Sequence, residues 1–218
     1  MNIRELILNP DNFFKDLSSK ESSLITPFLI VLALSVLNSI YTYYGISTIL
    51  NLFPSDMQSN ISIIIMTIYV LFSFIGGFIM WLFVAGMMYL LSMVFRGEGS
   101  FKRTLEFIGY GFLPNPIGSL ISILVGHYFL SSVQVPTLTM EQLQNPTVAE
   151  KAISSIIPKT MVYTNLLINI AVILWNLGLW TYGIKYARDL ELKKAFIVAL
   201  IPVVLFLIYQ VYGVIKML

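Results

Sequence analysis

The chain has 218 residues, of which 57% are hydrophobic and only 11% charged, and its mean hydropathy is +0.84. A soluble domain carries about 25% charged residues, so a soluble enzyme or binding domain is excluded and an integral membrane protein is expected. The net charge of +2 is too small to imply a nucleic acid or strongly anionic partner, and the absence of cysteine excludes disulfides, thiolate nucleophiles and thiolate metal sites.

A bilayer core about 30 Å thick takes about 20 apolar residues as helix. Five uncharged runs are long enough: 24–50, 61–95, 104–133, 160–184 and 195–215. The expected fold class is all-α, a polytopic helical bundle with five transmembrane helices. It divides into an amphipathic interfacial segment, 1–23, and a single five-span domain, 24–218.

In the first segment, "LNPDNFFKDLSSK" reads as a short helix with Asn9 as N-cap, Pro10 at the first helical position and Asp11 in the positive first turn. Phe13, Phe14 and Leu17 give it an apolar side, which suits either the inner membrane surface or the end of the bundle. The first span is too long and too far from the start for a signal peptide, and it is expected to stay in the chain. Ser22 or Ser23 is a candidate cap for it, Pro27 falls in its opening turn, and Tyr41, Tyr43 and Tyr44 resemble an interfacial aromatic belt.

The second run would be about 52 Å long as one straight helix. It is read as one span, with tilt or a bend at Gly76 and Gly77 absorbing the excess. The third contains "FLPNPIG". Pro114 falls roughly 15 Å along it, near the midplane. The run is read as a helix broken at Pro114 and Pro116, with Asn115 as N-cap and Pro116 as first residue of the second half. Such breaks survive at depth only where protein or a water-filled cavity surrounds them. Gly118, Ser122 and Gly126 form one small-residue column on it, and Ser73 with Gly77 another on the second span.

The loop that follows is long enough for two short helices split by Pro146. Val148, Ala152, Ile156 and Ile157 line one side of the second, for surface packing or as a lid.

Arg and Lys number ten on the side of the N-terminus and of the loops after the second and fourth spans. The other side, including the loop around Asp56, has three. This places the N-terminus in the cytoplasm and the C-terminus outside, as a multi-pass protein of the cell membrane.

No metalloprotease motif, phosphate loop or zinc spacing is present, and no cofactor is expected. His127, the one histidine, fits an interfacial or capping place. The carboxylates fall in loops or near membrane edges. Glu106 comes closest to the core and stands within reach of Lys102 and Arg103 for a local ion pair. With no charge at mid-depth, a proton-driven pump is not expected. Uncharged amides do lie at depth: Asn38, Asn115, Asn165, Asn169 and Asn176, the last three on one helix face. They suit interhelical hydrogen bonds or a polar cavity for a small solute or lipid headgroup.

"RGEGSFKRTLEFIGYGFLPNPIG", with its loop residues Gly97, Gly99, Ser100, Phe101 and Lys102, resembles the signature of the Yip-one-domain, Ypt/Rab-interacting membrane proteins. "LWNLGLWTYGIKYARDLELKKAFIVALIPVV" is similar to that family's ending. The resemblance implies five spans and a role of the membrane-trafficking kind. Eukaryotic relatives contact Rab GTPases through a longer N-terminal region with an Asp-Leu-Tyr-Gly-Pro motif. About 23 residues precede the first span here and that motif is missing, so Rab binding is not expected to carry over. The short form is similar to prokaryotic, particularly archaeal, members.

Two functions follow as expectations. One is a non-enzymatic scaffold or membrane-organising adaptor, whose partners are the bilayer and a membrane protein or a second copy. The other is passive transport or lipid binding through an Asn-lined cavity.

Overall fold

Each uncharged run forms helix, because a backbone in hydrocarbon must satisfy its own hydrogen bonds. The fold is that of a computed structural model describing residues 3–54 and 60–217; the loop around Asp56 lies outside the described residues. The elements are α1 (Ile3–Leu8), α2 (Pro10–Ser18), α3 (Ile25–Leu50), α4 (Asn60–Val94), α5 (Phe101–Gly111), α6 (Pro114–Leu130), α7 (Met140–Gln144), α8 (Pro146–Ile156), α9 (Lys159–Ala187) and α10 (Leu192–Met217). Among the described residues there are no strands. Five stretches are long and apolar enough to cross a membrane: Ile25–Leu50, Ser62–Val94, Phe101–Leu130, Lys159–Ala187 and Leu192–Ile215. The 35 residues of α4 run as one helix through Gly76 and Gly77.

The third span, α5 followed by α6, lies at the centre against α3, α4 and α9, while α10 packs on α9 and α4. Thr104 to Gly111 are buried without exception. Two glycines on this stretch explain the depth of the packing. A Cβ on Gly109 would stand 2.5 Å from Pro27 and 2.8 Å from the Trp81 indole nitrogen, and one on Gly111 would collide with Trp180. Both indoles lie against the helix and donate to its carbonyls, Trp81 to Leu105 O at 2.9 Å and Trp180 to Ile108 O at 3.2 Å.

Packing is unequal along the bundle. The main core joins Leu6, Phe14, Val31, Val84, Met88, Phe107, Trp180, Ile184 and Ala199, all toward the end that holds the N-terminus and the basic loops. At the far end a smaller cluster of Leu52, Leu138 and Ile156 ties α8 to the end of α3, helped by Leu138 N–H donating to Leu52 O at 2.8 Å. Ala152 and Ile157 pack on that cluster.

The leading segment starts as its sequence reads, with Pro10 first in α2 and Asn9 Oδ1 accepting from Asn12 N–H. Of the two placements open to it, the structure shows packing on the bundle. Phe13 and Phe14 are buried, and their rings meet Tyr110 and Phe107 at 5.3 and 5.2 Å.

Candidate functional site

Three charged clusters fasten the basic end. The first holds the motif loop. Helix α4 ends with Gly97 N–H on Ser92 O and Arg96 N–H on Met93 O, the paired bonds of a Schellman cap. Helix α9 ends likewise, with Leu190 N–H on Lys185 O. The left-handed positions of these caps are filled by Arg96 (φ 60) and Asp189 (φ 48) in place of the usual glycine. Arg188, 2% exposed, lies between the two ends. Its guanidinium donates to Ser92 Oγ at 2.8 Å, to Gly97 O at 2.6 Å and to Gly99 O, and sits 4.3 Å from the Tyr89 ring centroid. No carboxylate faces it among the described contacts. Carbonyls, an aromatic face and the negative ends of two helices accommodate the charge instead.

That clamp accounts for the loop's residue types. Gly99 has φ +109, and a Cβ there would stand 2.5 Å from Ala187 O; one on Gly97 would meet Ser92 O at 3.0 Å. Ser100 caps α5 by accepting from Arg103 N–H at 3.2 Å. Phe101 meets the Tyr89 ring edge-on at 5.4 Å, and Lys102 points outward, exposed.

The second cluster centres on Glu106, which is fully buried. Its carboxylate takes Arg103 at 3.0 Å, as the local ion pair predicts, and also Ser22 Oγ at 2.9 Å and Ser23 N–H at 3.2 Å. Arg103 reaches on to the carbonyls of Leu17 and Lys20. This corrects the capping of the first span: neither serine caps α3 with its side chain, and Leu24 stands at the N-cap. Glu106, from another helix, brings negative charge to the positive start of α3 instead.

In the third cluster Lys185 Nζ donates to Asp11 Oδ1 at 2.6 Å, and the Tyr186 hydroxyl donates to the same oxygen at 2.9 Å. The Lys185 hydrogen bond holds the Asp11 carboxyl below its ordinary value against the opposing effect of desolvation, with Tyr186 assisting.

The break in the third span also differs from the sequence reading. Helix α6 begins at Pro114, the N-cap is Leu113, and Asn115 caps nothing. Both prolines fall in the first turn, where a missing N–H costs least. The carbonyls they leave behind are taken by the residue before each: Leu113 N–H bonds Tyr110 O at 3.1 Å, and Asn115 N–H bonds Phe112 O at 3.0 Å. The interruption is therefore one tight 3₁₀-like step rather than an unwound segment.

Asn115 is thus free to face α9, where its Oδ1 accepts from Asn176 Nδ2 at 2.6 Å. Asn176 is 2% exposed. Asn38 accepts from the Ser119 hydroxyl at 2.9 Å, tying α3 to α6.

The other two amides of the α9 face lie further out. Asn165 and Asn169 line a cavity of about 340 Å³ in the far half of the bundle, between the outer parts of α3, α6, α9 and α10. Tyr41, Gly126 and Gln210 share its wall, and Ile156 and Ile157 bound it on the loop side. Asn165 Oδ1 and Gln210 Oε1 are buried there without a hydrogen-bond partner. The five asparagines therefore divide into two interhelical bonds at depth and one cavity wall. His127 is exposed in the last turn of α6.

Sequence reasoning passed over Arg188 and Gln210. An amide in the last span was visible by the rule applied to the asparagines. Arg188 gave no sign beyond its charge, because its acceptors come from a loop some 90 residues away. Among the described residues no three His, Asp or Glu side chains gather as a metal site.

A family model described as the Yip1 domain matches residues 4–213. An uncharacterized protein of Methanocaldococcus jannaschii is 51% identical over 128 residues, 59% of this chain and 90% of the relative. No solved structure matches. The family match runs from the docked leading helices through all five spans, and the chain belongs to the Yip1 domain family of integral membrane proteins.

Proposed function

We propose that this protein is a non-enzymatic membrane-organising adaptor, with its basic end in the cytoplasm of a multi-pass cell-membrane protein, presenting that end to a membrane-protein partner or a second copy. The observation that carries the reading is the fastening of the basic end. Arg188, the Glu106–Arg103 pair and the Asp11–Lys185 pair tie the motif loop, the leading helices and the start of the first span into one surface. A surface ordered beforehand loses little freedom on association, which favours binding. The same pairings commit the basic end's most buried charges to structure. Arg96, Glu98, Lys102 and Lys193 stand exposed around it, available to a partner.

The test is site-specific photo-crosslinking in native membranes. A photoreactive residue at Lys102 is expected to give a discrete adduct, either with one membrane protein or with a second copy, and the same residue at Glu150 on the far side is expected to give none. Equal background at both positions would refute the adaptor reading.

A further inference from the structure

The far half of the bundle contains a feature that an adaptor acting through the basic end does not use. Its cavity of about 340 Å³ falls at the small end of the range of ligand sites, roughly 300–1,000 Å³. Glycines form part of its wall, Gly45, Gly126 and Gly213, and at Gly45 and Gly213 an added Cβ would meet nothing within 4 Å. Two buried amide oxygens, Asn165 Oδ1 on α9 and Gln210 Oε1 on α10, lack any partner. A buried polar group without a hydrogen bond costs a few kcal/mol, and native structures hold few of them. Ser35 Oγ and Asn176 Oδ1 also lack partners, but within packed helices; it is the meeting of two such oxygens from different helices around one open volume that points to a partner from outside the chain.

The wall specifies that partner's chemistry. Among the described residues it holds no charged side chain, so a phosphate, carboxylate or ammonium headgroup would lose its hydration with no counter-charge from them. The polar requirement is for a group that hydrogen-bonds an amide, and a hydroxyl both donates and accepts. Most of the remaining wall is aliphatic, which suits a hydrocarbon chain. Ile156, 1% exposed and packed with Leu52 and Leu138, bounds the side toward the loop, and the bilayer is taken as the source.

We propose that this cavity binds a neutral, hydroxyl-bearing lipid of the monoacylglycerol class, taken from the leaflet at the far end, with its two free hydroxyls donating to Asn165 Oδ1 and Gln210 Oε1 and the chain along the aliphatic wall. Nothing in this site depends on the basic end, and the two readings stand or fall separately.

The experiment uses the full chain in phosphatidylcholine nanodiscs with a monoacylglycerol carrying a diazirine in its chain. Adducts are mapped by mass spectrometry, and unlabelled lipids compete. Adducts are expected on the outer parts of α9 and α10. Mono-oleoylglycerol should compete about tenfold better than methyl oleate, which lacks the hydroxyl, or oleoyl lysophosphatidate, which is charged; one or two buried hydrogen bonds are worth that factor. Free glycerol should not compete. Gly213→Leu, which fills the space, and the paired Asn165→Leu, Gln210→Leu change, which removes the amides, should each lower labelling about tenfold. Tryptophan fluorescence checks their folding, since Trp81 and Trp180 lie in the basic-end core. Labelling spread evenly over the lipid-facing helices, or equal competition by all three lipids, would overturn the proposal. Competition by glycerol would overturn the bilayer as source. The wild-type competition series decides the matter alone if a variant misfolds.

Discussion

Replacing Arg188 by methionine keeps the length and apolar stem of the side chain and removes every donor. Three acceptors then stay behind in a closed site: Ser92 Oγ, Gly97 O and Gly99 O. A hydrogen bond from a charged donor contributes about 1.5–3 kcal/mol net, which sets an upper bound of roughly 5–9 kcal/mol for three. Desolvation of a guanidinium that is 2% exposed offsets part of this, and the net cost is expected at about 3–5 kcal/mol. The effect should be local, because the loop's other ties are few: Gly97 N–H on Ser92 O, Arg96 N–H on Met93 O and Glu98 N–H on Arg188 O. Hydrogen exchange with mass spectrometry, in nanodiscs, reads the opening of those amides. At the lower figure, protection of Glu98 should fall on the order of 10²-fold, while α3 and α4 amides keep theirs. Arg188→Lys keeps a charge near the two helix ends but loses the fork, and should fall between. Wild-type protection in Arg188→Met would mean that the guanidinium does not hold the loop.

Gly99→Ala should disturb the same amides by at least about 2 kcal/mol, since φ +109 is strained for any L side chain and the Cβ meets Ala187 O at 2.5 Å; an unchanged exchange pattern would deny the close approach. A double-mutant cycle on Asn115→Leu and Asn176→Leu should give a coupling near 0.6 kcal/mol and below about 1.7, the range for interhelical bonds in membranes, and a larger value by reversible unfolding would show a site under greater strain. Because the Asp11 carboxyl is depressed when folded, its contribution is complete above the ordinary value near 3.8 and fades as pH falls through the lower folded value. Proteolysis of α2 should therefore accelerate on acidification. The effect is small, as Asp11 is 42% exposed, and Asp11→Asn should abolish the pH dependence. The absence of cysteine permits a topology measurement: Lys102→Cys should resist an impermeant maleimide applied outside intact cells, and Glu150→Cys should react.

The spans were legible because hydrocarbon imposes one strong rule, a long uncharged run, and the helices observed keep those bounds to within a few residues at most ends. The break was legible as to place but not as to phase. In "FLPNPIG" either proline can occupy the first helical turn, and the choice falls to the surroundings: Asn176 across the interface takes Asn115 as a partner and leaves Leu113 at the cap. Asn165, Asn169 and Asn176 share a face in any helix, yet their neighbours differ with depth. The inner one meets an amide and the outer two meet a cavity. Periodicity reports the face and says nothing of what stands opposite. Glu106 shows the same limit. Its local partner Arg103 was within reach by spacing, whereas Ser22 and Ser23 lie more than 80 residues away in the chain.

Glycine is used in two ways in this bundle, for close approach and beside open space, and each use bears on one of the two functional readings. Toward the basic end, Gly97, Gly99, Gly109 and Gly111 let a carbonyl, an arginine or an indole approach where a methyl group would collide. The close contacts made there, each small, sum to a densely packed and ordered surface. Toward the far end, Gly45 and Gly213 face open space, and a Cβ on Gly126 would stand at ordinary distances of 3.7 Å from Tyr41 and 3.8 Å from Met161. A Cβ would fit at these three positions, as it would at Gly76, Gly86 and Gly178, so close approach does not account for glycine there. If the cavity had no occupant, filling it with Gly213→Leu should stabilise the protein in every membrane, as cavity filling commonly does by about 0.5–2 kcal/mol. If a lipid occupies it, the gain should appear in detergent without lipid and shrink once monoacylglycerol is supplied to the wild type, because a bound ligand stabilises by mass action. Equal gains in both conditions would leave the far half as loose packing only.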